Sequence, residues 1–184
     1  ALVGAYKHHG GGTADAGAAY IYKRIGSTWT MQAKLVSGDL ETNGYFGFSV
    51  SLYKDYALIG AYGEDSQDGV AYVYKRNGSS WSQQAKLVPS SRISSHRVGY
   101  SVSIYKDYAL IGSNTQTIDG GHAYIFKRNG STWSEEATLA PPAHTSQQQF
   151  GESVSLYEDY ALIGAYGEDS QDGVAYVYKR NGSS

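Results

Sequence analysis

The chain has no cysteine, 3 prolines and 1 methionine among its 184 residues. Without cysteine there is no disulfide framework and no thiolate metal centre, and cysteine usage says nothing about the redox compartment. Charge of one sign is also lacking. The 15 basic and 17 acidic residues leave a formal net charge of -2, so neither nucleic acid nor an anionic membrane is an expected partner. No run approaches the roughly 18 apolar residues of a membrane-spanning helix. Helix formers never line up at helical spacing for even three turns, so almost no helix is expected. No leader pattern precedes the strand-like ALVGAY of Ala1–Tyr6, which suits a mature or partial form.

Glycine and tyrosine are abundant, at 23 and 18 residues. That pairing fits many short strands joined by tight turns. Trp29, Trp81 and Trp133 are spaced by 52 residues, as are Phe46, Val98 and Phe150, each of these three followed by glycine. AYIYKR at Ala19–Arg24 recurs with the same step as AYVYKR, AYIFKR and AYVYKR, and Asp55–Ser80 is identical to Asp159–Ser184. A recent duplication or an idealised sequence would explain the identity.

Each full repeat divides into four strand-like runs. In the second unit they are FGFSVSLY (Phe46–Tyr53), YALIGAY (Tyr56–Tyr62), VAYVYKR (Val70–Arg76) and WSQQAKL (Trp81–Leu87). Period-two alternation and β-branched or aromatic content argue for strands throughout. Lys54-Asp55 turns the first run into the second, and Asn77-Gly78 is expected as a type I′ turn between the third and fourth. Four antiparallel strands per unit of this length are the signature of a β-propeller blade. The second and third runs are apolar on both faces, as stacked blades require. A wedged tryptophan at position 81 would bury about 150–250 Å², roughly 4–6 kcal/mol of transfer free energy as an upper bound.

The expected organisation is one all-β propeller region over 1–184. It comprises a partial blade at 1–45, blades at 46–97 and 98–149, and a second partial blade at 150–184. Propellers contain about 4–8 blades. The chain is therefore expected either to belong to a longer protein with a ring of about seven blades, or to complete its ring as a homo-oligomer.

FGFSVSLYKDYALIGAY (Phe46–Tyr62), VGYSVSIYKDYALIGS (Val98–Ser113) and FGESVSLYEDYALIGAY (Phe150–Tyr166) resemble the FG-GAP repeat, through the Phe-Gly opening and the Gly-Ala near the end of the second run. The resemblance implies the propeller of integrin α subunits, and more closely the looser class found in secreted or surface proteins of microbes and algae. It implies an extracellular or cell-surface module for adhesion, protein binding or surface assembly, and no enzyme. Alternatives are a lectin-like propeller that binds glycans and an accessory propeller of a larger secreted enzyme. One departure matters. The integrin-type repeat binds calcium in its first hairpin through an Asp-rich loop, whereas that hairpin here holds Asp55, Asp107 or Asp159, with Glu158 added in the last. One or two carboxylates cannot supply the roughly six to eight oxygens of calcium. The Gly-Ala-Pro proline is also replaced, by Tyr62 and Tyr166.

Several residues remain as candidate sites. GEDSQDG occurs at Gly63–Gly69 and Gly167–Gly173, placing Glu64, Asp65 and Asp68, and again Glu168, Asp169 and Asp172, within one loop. It reads either as a polar loop closed by an Asp-Gly turn or as a calcium ligand set. The bidentate glutamate of an EF-hand loop is replaced by Lys75. Asn77, Asn129 and Asn181 open N-glycosylation sequons that are also simple turns. Tyr62 and Tyr166 are candidate rim residues for protein or glycan contact, against the alternative that such tyrosines fill gaps between blades. His8-His9 reads as an adjacent pair on a solvated glycine-rich loop, and His96, His122 and His144 as isolated histidines, rather than metal ligands.

Overall fold

The computed structural model describes residues 1–9, 12–92, 95–115, 120–142, 148–168 and 172–181. The strand-like runs form four antiparallel sheets in chain order. The first holds β1 (Leu2–Ala5), β2 (Ala18–Ile25) and β3 (Thr28–Leu35). The second holds β4 (Ser49–Tyr53), β5 (Tyr56–Ala61), β6 (Val70–Asn77) and β7 (Ser80–Leu87), with a single helical turn α1 (Glu64–Gln67) between β5 and β6. The third holds β8 (Val98–Tyr105), β9 (Tyr108–Ser113), β10 (His122–Asn129) and β11 (Thr132–Leu139). The fourth holds β12 (Phe150–Tyr157), β13 (Tyr160–Ala165) and β14 (Val174–Lys179). Each sheet is a meander, and the whole is an all-β, propeller-like repeat.

Successive sheets pack face to face, and the core lies between them. Ala57, Ile59 and Ala61 of β5 join Ala19, Ile21 and Leu35 of the first sheet. Leu58, on the opposite face of β5, joins Val102, Ile104 and Ile111 of the third. Both faces of the second run are therefore covered, which explains its unbroken apolar sequence. Leu110 and Ala123 meet Phe150, Ala161 and Ile163 of the fourth sheet in the same way.

The repeated Phe-Gly and Gly-Ala pairs have a physical reason. Phe46, Val98 and Phe150 are fully buried, and each bridges a glycine of the preceding unit: Gly17, Gly69 and Gly121. Gly99, which follows Val98, takes φ +88°, and its carbonyl lies against Gly60 of β5. A Cβ on Gly60 would sit 1.9 Å from that oxygen. The two glycines thus set how closely consecutive sheets approach. Serines complete the contact. Ser49 donates its hydroxyl to the Gly99 carbonyl and Ser101 to that of Gly151, each at 2.7 Å. Ser51 Oγ accepts the Ile104 N–H at 3.1 Å, and Ser103 Oγ accepts that of Leu156 at 2.9 Å.

The outer strands interlock through other groups. Trp81 Nε1 donates to Gln32 Oε1 at 3.4 Å, and Trp133 Nε1 to Gln84 Oε1 at 3.0 Å. The guanidiniums of Arg128 and Arg180 lie over the rings of Tyr56 and Tyr108 in the preceding units, at 4.6 and 4.4 Å. Arg76, Arg128 and Arg180 also bind Asp55, Asp107 and Asp159 of their own first hairpins. Those hairpin carboxylates are thereby committed to arginine.

Three local expectations are corrected. The second unit's first strand begins at Ser49, not Phe46, whereas those of the third and fourth units begin at Val98 and Phe150. The loop between the third and fourth runs is Gly78-Ser79, since Asn77 pairs with Ser80. Of the turn's residues only Gly78 has positive φ, at 62°, which places glycine first as in a type II′ turn. The first unit, which has Ile25 where the second has Asn77, turns at Gly26 with φ 63°. Finally, GEDSQDG is not a plain loop, as described next.

Candidate functional site

In the loop after β5, Asp65, Ser66 and Gln67 all take positive φ, at 51°, 62° and 73°. This left-handed turn carries Glu64 inward, where it is fully buried. Tyr72 of β6 donates its hydroxyl to Glu64 Oε2, and Ser37 Oγ donates to the Tyr72 oxygen at 3.1 Å. Lys86 of β7 lies between the carboxylates, 2.7 Å from Asp39, 3.2 Å from Asp65 and 4.0 Å from Glu64. Arg92 meets Asp65 at 2.8 Å, and Glu41 accepts the Asp65 backbone N–H at 2.9 Å.

The electrostatics follow from this arrangement. Burial pushes the Glu64 carboxyl up, against the hydrogen bonds from Tyr72 and Ser37 and the charge of Lys86. Burial would raise Asp65 too, but Arg92 and Lys86 outweigh it and hold the carboxyl below its ordinary value. Hydrogen bonds from Lys86 and then Tyr72 hold Asp39 low. Burial and the Glu64 carboxylate push the Tyr72 phenol far up.

Of the candidate calcium residues, Glu64 and Asp65 share Lys86, while Asp68 accepts the Ser95 backbone N–H at 2.9 Å on the side of the next unit. Two cations already stand among the first pair. Among the described residues no three carboxylate or imidazole groups converge as they would around a metal ion. In the second copy Glu168 takes the Tyr176 hydroxyl at 2.5 Å, repeating the Glu64–Tyr72 pair. Asp172 is exposed, and Asp169 lies outside the described residues.

The tyrosines divide differently. Tyr62, just after β5, stacks on Tyr45 at 5.0 Å between centroids and meets Phe48 edge-on at 4.6 Å. Phe48 touches Tyr100 at 4.8 Å and Tyr6 at 5.3 Å. Tyr6, Tyr45, Phe48, Tyr62 and Tyr100 therefore form one half-exposed stack across the first three sheets. It sits where the connectors between sheets enter. Asn114 donates its side-chain N–H to Glu152 at the far end. Burial raises the Tyr62 phenol, with a further push from Tyr45 and a smaller opposing pull from Arg97. Burial and then the charge of Glu152 raise that of Tyr100.

The stack absorbs Tyr62 but not Tyr166, which stands 63% exposed after β13. Tyr45, Phe48 and Tyr100 were missed in the sequence. The signal for Phe48 and Tyr100 is the position immediately after the repeating glycine, occupied by Phe48, Tyr100 and Glu152. A separate ladder, Tyr53–Tyr105–Tyr157, runs along the first hairpins with centroids 5.1 Å apart at both steps.

The remaining candidates are simpler. Asn77, Asn129 and Asn181 are all exposed at the ends of third strands, open to modification. His8 Nε2 is 2.7 Å from Lys34 Nζ, and His9 Nδ1 is 3.6 Å from Asp15. His96 and His122 are not isolated from each other: their rings stack at 5.6 Å, because the third unit's connector folds over the start of β10. His144 lies outside the described residues.

A family model described as "FG-GAP repeat" matches residues 29–74, 81–126 and 133–178, together well over half of the chain. No curated protein matches the chain.

Proposed function

Because the chain belongs to the FG-GAP repeat family, we propose that it is a non-enzymatic, extracellular or cell-surface module that binds other proteins through its aromatic stack. The observation that carries this reading is the half-exposed cluster of Tyr6, Tyr45, Phe48, Tyr62 and Tyr100. Tyrosine and phenylalanine offer large rigid area at low entropic cost, and arginine beside them is typical of interface centres. Arg97 stands close enough to shift both Tyr62 and Tyr100.

The equivalents differ from unit to unit, as Phe48, Tyr100 and Glu152, and as Tyr62, Asn114 and Tyr166. A glycan-binding propeller would present similar pockets in each unit, so the variation favours one asymmetric protein epitope. The test is to immobilise the wild-type chain and a Phe48→Ser/Tyr62→Ser variant and challenge both with proteins released from the surface of the producing cells, beside a glycan array. Binding by the wild type that the variant loses supports the reading. Equal binding by both would discard the stack as the site, and array hits alone would move the assignment to glycans.

A further inference from the structure

We propose that the row of first hairpins binds a linear acidic polysaccharide, a β-linked polyuronate laid along the tyrosine ladder. Tyr53, Tyr105 and Tyr157 end the first strands of three successive sheets, and their rings step evenly at 5.1 Å between centroids. Across each hairpin they pair with Tyr56, Tyr108 and Tyr160. These in turn pair with Lys75, Lys127 and Lys179 of the third strands. Residues opposed across an antiparallel pair lie on one face, so each unit presents two tyrosines and a lysine in line.

The charge on this row is positive, although the chain carries a net -2. The arginines beside it are bound by the hairpin aspartates, which leaves the lysines. Lys54 and Lys106 stand over Tyr53 and Tyr105 at 5.5 and 5.1 Å, and Lys75 and Lys127 over Tyr56 and Tyr108 at 5.7 and 5.6 Å. Of these four, Lys127 meets Glu136 at 3.3 Å. Among the described residues Lys54, Lys75 and Lys106 form no ion pair. Asp39, Glu64, Asp65 and Asp68 gather at the other end of the strands, in the loop after β5 and the connector before β4.

A polyuronate matches both features. The apolar C–H face of a sugar ring lies well on a tyrosine, whose body is apolar and whose tip is polar. A lysine held over that ring by cation–π attraction is placed to meet a carboxylate on the same sugar. Lysine is a point charge suited to one carboxylate per sugar, whereas the planar grip that arginine gives phosphate is already taken. An evenly repeated surface fits an evenly repeated ligand. Glu158 stands where the second and third units have Lys54 and Lys106, so the row is weakest there. The row shares no residue with the aromatic stack and lies at the opposite end of the strands, so the two assignments stand or fall separately.

The probe is a hexasaccharide of β-linked glucuronic acid, with cellohexaose as the neutral sugar of the same backbone, titrated into the full chain by calorimetry. Saturable binding of the acidic sugar is expected, weakened by added salt, with cellohexaose at least tenfold weaker. Lys54→Gln/Lys106→Gln should weaken it at least fivefold. Glu158→Lys, which completes the row, should tighten it several-fold. Phe48→Ser/Tyr62→Ser should leave it unchanged, and acidic-sugar hits that this variant keeps on an array belong to the row rather than the stack. No binding at millimolar sugar would overturn the proposal. So would a Glu158→Lys chain that binds no tighter, or equal affinity for a single-stranded DNA hexamer, which would reduce the row to plain charge attraction. Unchanged affinity in a folded Tyr105→Leu chain would overturn it too, because the ring would then carry no sugar.

Discussion

Trp133 and Gln84 are joined across the boundary between the third and second sheets by an indole hydrogen bond of 3.0 Å. Trp81 makes the same bond to Gln32 of the first sheet. Trp29 has no sheet before it among the described residues and is 53% exposed. The three tryptophans occupy one repeat position in two environments. Trp133→Ala should approach the ~3–5 kcal/mol of buried tryptophan truncation, whereas Trp29→Ala should stay within about 0.5 kcal/mol. Urea denaturation of the three variants checks this. Equal losses would mean that the tryptophans are not inter-sheet wedges.

Glycine spacing gives a sharper contrast. A Cβ on Gly60 meets the Gly99 carbonyl at 1.9 Å and one on Gly112 meets the Gly151 carbonyl at 2.2 Å, while one on Gly164 meets only Ser153 of its own sheet. Gly60→Ala must push two backbones apart and should cost at least the ~1–3 kcal/mol of overpacking. Gly164→Ala should cost under about 1 kcal/mol. Melting temperatures of the two variants, measured side by side, decide it.

Buried Glu64 makes stability depend on pH. Its carboxyl is raised above the ordinary 4.5, so the folded state holds its proton more tightly than the unfolded chain does. This contribution is fully present below about pH 4.5 and is lost as pH rises through the folded-state value. Glu64→Gln keeps an acceptor for Tyr72 and removes that dependence. It should gain on the wild type by a few degrees of melting temperature between pH 5 and 8, and lose the advantage near pH 4. A difference that stayed flat with pH would assign the raised carboxyl elsewhere.

Calcium should do little. Lys86 and Arg92 already stand among Asp39, Glu64 and Asp65, so a divalent ion would have to displace bound cations. At millimolar calcium the melting temperature should move by less than about one degree, because weak binding adds little to stability. A larger shift, abolished by Asp65→Asn, would restore the loop as a metal site.

The first hairpins hold Lys54, Lys106 and Glu158 at φ 50°, 54° and 53°. Side chains pay about 1–2 kcal/mol there that glycine does not. Lys106→Gly should therefore stabilise slightly, by up to about 1 kcal/mol after its entropic cost. Chemical denaturation of this single variant is enough to see the sign.

Strand positions, repeat period and the inter-sheet role of Trp81 were legible in the sequence because they are written in local alternation and in self-similarity. The Gly78-Ser79 turn was misplaced by one residue because Asn-Gly is a strong local cue, and only the pairing of Asn77 with Ser80 fixes the register. The neutralisation of Glu64 and Asp65 was not legible. Lys86 lies on a different strand and Arg92 in the following connector, and neither is at a motif spacing. The aromatic stack was half legible: Tyr62 stood out, but its partners Tyr45 and Phe48 come from the segment that leads into β4.

The identical segments Asp55–Ser80 and Asp159–Ser184 provide an internal calibration of neighbour coupling. Leu58 and Val73 are fully buried, yet their copies Leu162 and Val177 are 46% and 66% exposed. The local code is the same, so the difference in the opening free energy of β5 and β13 reads out what the adjoining sheet and the fourth strand β7 contribute together. Native-state hydrogen exchange at Ile59 and Ile163 would measure it within one molecule and one solvent.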